Sequence, residues 1–159
     1  MSNYLELIKQ FQANAPVNVI GLANAMGVKV WTSKSLGANI SGKLFRDEKL
    51  AGDSGYAILV NGNDAEARQR FTIAHEVAHF VLHRSEVGAG IAEDAFYRSN
   101  LSSRQETEAN KLAAEILMPY ALIGSLQKAK DIGKFDVERM SKELHVSEVA
   151  MRIRLGLTA

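Results

Sequence analysis

Two histidines four positions apart, with a glutamate directly after the first, are the residues of this chain best placed to do chemistry. Residues 71–83 read Phe-Thr-Ile-Ala-His75-Glu76-Val-Ala-His79-Phe-Val-Leu-His83. On a helix, positions four apart share a face with Cβ atoms about 5–6 Å apart. Two imidazoles so spaced can reach one tetrahedral zinc ion at about 2.0–2.1 Å. Glu76 lies a further 100° or so around the helix. That is too far round for a third ligand but beside the water that would fill an open coordination position. The HExxH pattern therefore supplies two ligands and a general base.

A catalytic zinc site wants a third protein ligand and keeps its fourth position open. The segment Glu106-Thr107-Glu108-Ala109-Asn110 offers one. Glu106 and Asn110 share a helix face, so a carboxylate could bind the metal with an amide behind it. Glu108 is expected on another face, as a solvated charge. Each pattern alone has a bland reading. Short motifs recur by chance, a lone histidine on an apolar face is commonly a core residue, and Glu106, Glu108 and Asn110 could be surface groups of a helix that buries Leu112, Ala113, Ile116 and Leu117. Together the two patterns favour a metal. His83 continues the four-residue series, but the face drifts by about 40° per step, so three imidazoles do not easily meet at one point. It is expected to be a helix-terminal residue favoured by the macrodipole.

The elements that must carry these residues can be read from period and punctuation. A helix over about 3–13 precedes Pro16, and Asn18 can cap a second helix that Gly27 stops. Alternation then predicts strands at 28–32, 39–45 and 56–61. A helix over 64–83 follows, capped by Asn63 with Glu66 three residues on. Another runs from Ser102 or Ser103 to Pro119, and a third begins there. The expected fold class is α+β: a small, mostly antiparallel three-stranded sheet packed on a zincin-type helical core. Residues 135–158 would add a helix-turn-helix-like C-terminal pair.

With 159 residues, 47% hydrophobic and 23% charged, the chain has the make-up of one compact domain, 1–159, that can bury a core unaided. The absence of cysteine removes disulfides, thiolate nucleophiles and Cys-based zinc sites, and suits a reducing, cytoplasmic setting. A formal charge of +1 gives no general attraction to nucleic acid or anionic lipid. No apolar stretch nears the roughly 20 residues of a membrane span. Residues 1–11 mix polar and apolar types at helical spacing, unlike a secretion signal.

Two segments resemble the ImmA/IrrE family of metallopeptidases, of the gluzincin type. They are Arg68-Gln-Arg-Phe-Thr-Ile-Ala-His-Glu-Val-Ala-His-Phe-Val-Leu-His83 and Glu106-Thr-Glu-Ala-Asn-Lys-Leu-Ala-Ala-Glu-Ile-Leu-Met-Pro119. Where the family commonly has Gly and Phe, this chain has Ala78 and Leu112. The resemblance implies Zn2+ held by His75, His79 and Glu106, with Glu76 as base. It also implies a protease that cuts a bacterial or phage transcriptional repressor, of the Xre helix-turn-helix type, and so derepresses genes for stress response or mobile-element transfer.

An oxyanion donor is still needed. Tyr97, between the two zinc-bearing helices, is the candidate, ahead of Tyr56 and Tyr120. An extended substrate could add to an edge strand ending in Val60-Asn61. In the C-terminal pair, Ser147 would cap a helix that opens on Glu148, Val149 and Ala150, a poor recognition surface for bases. DNA binding is therefore disfavoured against packing or substrate docking. A non-proteolytic metal-binding regulator or an antitoxin-like binding partner is the other reading, and the intact Glu76 argues against it.

Overall fold

Asn18 begins the ordered scaffold by accepting the Gly21 N–H at 2.9 Å. It thereby caps α2 (Val19–Ala25), which lies against α1 (Ser2–Phe11). The computed structural model describes residues 2–86 and 101–157. Gly27 follows α2 at φ +79, a left-handed conformation that lets the chain leave the helix and enter β1 (Val28–Ser33) directly.

β2 (Gly42–Arg46) and β3 (Tyr56–Asn61) complete the sheet, in the order β1-β3-β2. β2 is antiparallel to β3, but β1 is parallel to it, pairing Val28 with Tyr56 through Ser33 with Asn61. The sheet is thus mixed, which corrects the expectation of a mostly antiparallel one. The reason lies in the connections: residues 34–41 and 47–55 are long, neither is a tight hairpin turn, and β3 can insert between its predecessors. β3 is consequently the central strand, buried at every position except Leu59. Its backbone is paired on both sides, so it is not the edge that an added strand would need.

Asn61 fixes the exit from β3. Its buried amide donates to the Ile40 carbonyl at 2.8 Å, and its Oδ1 accepts the Asn63 N–H at 2.9 Å. Asn63 is itself spent on the Lys34 carbonyl, at 2.8 Å. It therefore does not cap α3 (Glu66–His83), whose N-cap is Ala65 with no side-chain bond. α3 is buried over most of its circumference, from Thr72 to Val81 and again at His83. A helix surrounded by sheet and helices cannot show a single apolar stripe, because it has no solvated face to contrast with. Gly42 brings the sheet against it: a Cβ there would stand 2.5 Å from Thr72 Cγ2 and 2.6 Å from the Leu59 carbonyl oxygen.

At its C-terminal end α3 runs into a 3-10 turn, Arg84–Glu86. Arg84 Nη1 donates back to the Phe80 carbonyl at 3.1 Å, and Tyr56 donates its hydroxyl to the Arg84 carbonyl at 3.0 Å. α4 (Ser103–Leu117) starts at a full capping box of Ser102 and Gln105. It packs extensively on α3, and Ala74, Ala78, Ala109 and Ala113 of the two helices are fully buried. Side chains that small let two helix backbones approach closely. Pro119 then turns the chain into α5 (Tyr120–Ala129).

α6 (Val137–Leu144) and α7 (Glu148–Arg154) are capped by Asp136 and Ser147. Met140, Leu144 and Met151 enter the common core, while Arg70 of α3 donates to the Val17 carbonyl at 2.9 Å and the His145 carbonyl at 3.2 Å. No helix among the described residues is long and apolar enough to cross a membrane.

Candidate metal centre

α3 presents His75 and His79 one turn apart, and α4 brings Glu106 to meet them. His75 Nε2 lies 3.1 Å from His79 Nε2 and 3.0 Å from Glu106 Oε2, and His79 Nε2 lies 3.2 Å from the same oxygen. Three acceptor atoms from separate turns thus form a nearly equilateral triangle. Ligands of a tetrahedral ion at about 2.0–2.1 Å would stand about 3.3 Å apart, so the residues present fit a divalent cation with nitrogen and carboxylate donors. Among the described residues this is the group of histidine and acidic side chains gathered closely enough to hold one.

Electrostatics favour the metal-ready state. His79 is held down to about pKa 4, first by burial, then by the neighbouring His75, against the pull of Glu106. At neutral pH its ring is uncharged and keeps a lone pair for a ligand. Glu76, directly after His75, is fully buried in the same helix.

The flanking residues depart in part from the sequence reading. Asn110 is exposed and lines a groove beside the site, and among the described residues it makes no hydrogen bond to Glu106. His83 is not a solvated helix end. It is buried, its Nδ1 lies 3.0 Å from His79 Nδ1, and its Nε2 lies 3.5 Å from Glu108 Oε1. Glu108 accordingly faces the metal-bearing helix and is more than a solvent charge. The four-residue series His75, His79, His83 held that signal: the third ring meets the back of the second instead of the ion. Tyr97 lies outside the described residues. Tyr56 and Tyr120 are occupied elsewhere, donating to the carbonyls of Arg84 and Arg154 at 3.0 and 3.3 Å.

A groove of about 960 Å³ opens from His75. It is lined by Arg68, Phe71 and Thr72 of α3, Lys111 and Ala114 of α4, and Val149, Ile153 and Arg154 of α7.

A helix bearing two histidines and a glutamate, completed by a carboxylate from a second helix, defines a candidate mononuclear metal centre of the two-histidine, one-glutamate kind. Residues 23–156 match the peptidase M78 family, described as the IrrE N-terminal-like domain, and the chain belongs to that family. It is 38% identical over 69 residues to the radiation response metalloprotease IrrE of Deinococcus radiodurans, a match over 43% of this chain and 21% of that protein. It is 37% identical over 71 residues to the protein of the same name from Deinococcus deserti, over 45% of this chain and 25% of the relative. The chain thus spans about a quarter or less of the curated relatives it matches. A Mycobacterium tuberculosis transcriptional regulator of known structure shares the fold, with a TM-score of 0.63 over 98% of this chain and 47% of that one, at 14% identity.

Proposed function

We propose that this chain is a zinc-dependent endopeptidase domain that cuts a bacterial or phage transcriptional repressor of the Xre helix-turn-helix type in the cytoplasm. His75, His79 and Glu106 would hold the ion, and two imidazoles with one carboxylate are a donor set that suits zinc. When bound, the ion would supply Lewis acidity to the attacking water and to the scissile carbonyl. Glu76 accepts the proton that the water gives up as its oxygen joins the carbonyl carbon. It returns that proton to the amide nitrogen as the C–N bond breaks.

The observation that carries this reading is the triangle of ligand atoms at 3.0–3.2 Å, with fully buried Glu76 on the same helix. A structural metal site has no use for a carboxylate held in that place. The groove favours a protein substrate over a small molecule. It is large, about 960 Å³, and lined by apolar, polar and basic side chains that include residues of three helices. Its α7 lining would contact the regulator outside the metal centre, which suits a folded substrate with an exposed linker.

The test is to incubate the zinc-loaded protein with the repressor encoded beside its gene. Wild type should produce two fragments from a single cut. Glu76→Gln should keep the zinc and lose at least about 100-fold in rate, the lower range of a general base's contribution. Equal cleavage by Glu76→Gln, or stable complex formation without any cut, would reject the proposal.

A further inference from the structure

We propose that His83 and Glu108 are a positioning pair that aims His79 at the metal and sets the affinity of the site. This rests on the metal-centre reading above. The Nδ1 atoms of His79 and His83 lie 3.0 Å apart, and both rings are buried. At that separation one nitrogen carries the hydrogen and the other accepts it.

The far side of His79 decides which. Its Nε2 faces His75 Nε2 at 3.1 Å and Glu106 Oε2 at 3.2 Å, so with an ion present the lone pair on Nε2 is taken up in ligation. The hydrogen of a neutral His79 ring then sits on Nδ1. His83 Nδ1 accepts it, which leaves the hydrogen of His83 on Nε2, 3.5 Å from Glu108 Oε1. Donation therefore runs from His79 to His83, and the His83 Nε2 hydrogen stands on the side of the Glu108 carboxylate, a charge contact longer than an ordinary hydrogen bond, on the other helix of the site.

Such a chain does two things. It fixes one tautomer and one ring orientation for His79 before the ion arrives. It also places a carboxylate where its charge, relayed through His83, makes the His79 nitrogen a better donor to a cation. Ligating histidines commonly give their second ring hydrogen to a carboxylate or carbonyl, and losing that partner costs about 10–100-fold in metal affinity. Here the partner lies one helical turn further along α3, and a second imidazole spans the gap to the acid on α4.

Zinc affinity, measured by competition with a chromophoric chelator, separates this role from simple filling of buried space. His83→Phe fills the space but cannot accept a hydrogen bond, and it should bind zinc about 10–100-fold more weakly than wild type. His83→Gln offers an amide oxygen and should recover most of that loss. Glu108→Ala should fall between wild type and His83→Phe, because its contact is longer and its side chain is 46% exposed. Wild-type affinity in folded His83→Phe, or equal weakness in His83→Phe and His83→Gln, overturns the proposal. Should His83→Phe fail to fold, the ring 15N spectrum of zinc-loaded wild type decides: His83 should be protonated at Nε2 alone, and a proton on its Nδ1 overturns the assignment. A wild-type protein that takes up no zinc rejects the metal-centre reading itself, which keeps the two failures distinct.

Discussion

His79 Nε2 and Glu106 Oε2 stand 3.2 Å apart although 27 positions separate them in the chain. The contact accompanies the packing of α3 on α4, two helices that each carry fully buried alanines. The first prediction concerns its members. Zinc content after purification without chelator should be one equivalent per chain. His79→Ala and Glu106→Ala should abolish stoichiometric binding, whereas Glu108→Ala should still bind one equivalent, though more weakly. A full equivalent in His79→Ala would show the ligand set to be wrong.

The second prediction follows from the depressed pKa of His79. Its ordinary value is 6.5 and its folded value is about 4. Above pH 6.5 both folded and unfolded chains carry it neutral, and its burial is free of protonation cost. Between pH 6.5 and 4 the unfolded chain takes up a proton that the folded one does not, so stability falls as acid is added. At about 1.4 kcal/mol per pKa unit this single group accounts for roughly 3 kcal/mol at most. Urea titrations of metal-free protein at pH 7 and pH 4.5 should show a larger loss for wild type than for His79→Gln. Parallel losses would remove His79 as the cause.

Much of the scaffold was legible because its signals are local. Asn18, Ser102 and Ser147 cap helices as their types and positions imply, and β1 and β3 follow their alternation and apolar content. Strand order was not legible, since pairing across residues 34–55 depends on tertiary fit that no short window contains. Asn63 misled for a related reason: its side chain has a better partner in the Lys34 carbonyl, on a loop remote in sequence. At the site, that His75, His79 and Glu106 come together could be inferred from their spacing on two helices. His83 was misread because the drift argument asks only whether three rings converge on one point. It does not ask whether the third can bond the second from behind.

The third prediction tests how the sheet is seated on α3. Gly42→Ala puts a methyl 2.5 Å from Thr72 Cγ2 and 2.6 Å from the Leu59 carbonyl oxygen. Overpacking of this kind costs about 1–3 kcal/mol. Adding Thr72→Ser should restore only part of the loss, because the Leu59 oxygen is backbone and cannot turn away. Urea midpoints of the three proteins measure this. An unchanged midpoint in Gly42→Ala would mean that β2 moves freely against the helix.

The last prediction concerns what the C-terminal pair contributes to cleavage. Two sets stand out among its apolar residues. Met140, Leu144 and Met151 are at most 1% exposed and belong to the core, whereas Val149 and Ile153 are 62% and 65% exposed and face the groove that leads to His75. Truncation before Phe135 would remove both sets at once and unfold the core, so it cannot isolate docking. Val149→Ser with Ile153→Ser removes only the exposed set. The double variant should match wild type in thermal stability and zinc content. If α7 grips the substrate, each lost apolar contact costs about 1 kcal/mol or more, and KM for the intact repressor should rise about 30-fold or more with kcat unchanged. A short peptide spanning the cut should be cleaved equally by both proteins, since it does not reach α7. An unchanged KM for the intact repressor would mean that Val149 and Ile153 take no part in recognition and that the α7 lining of the groove is incidental.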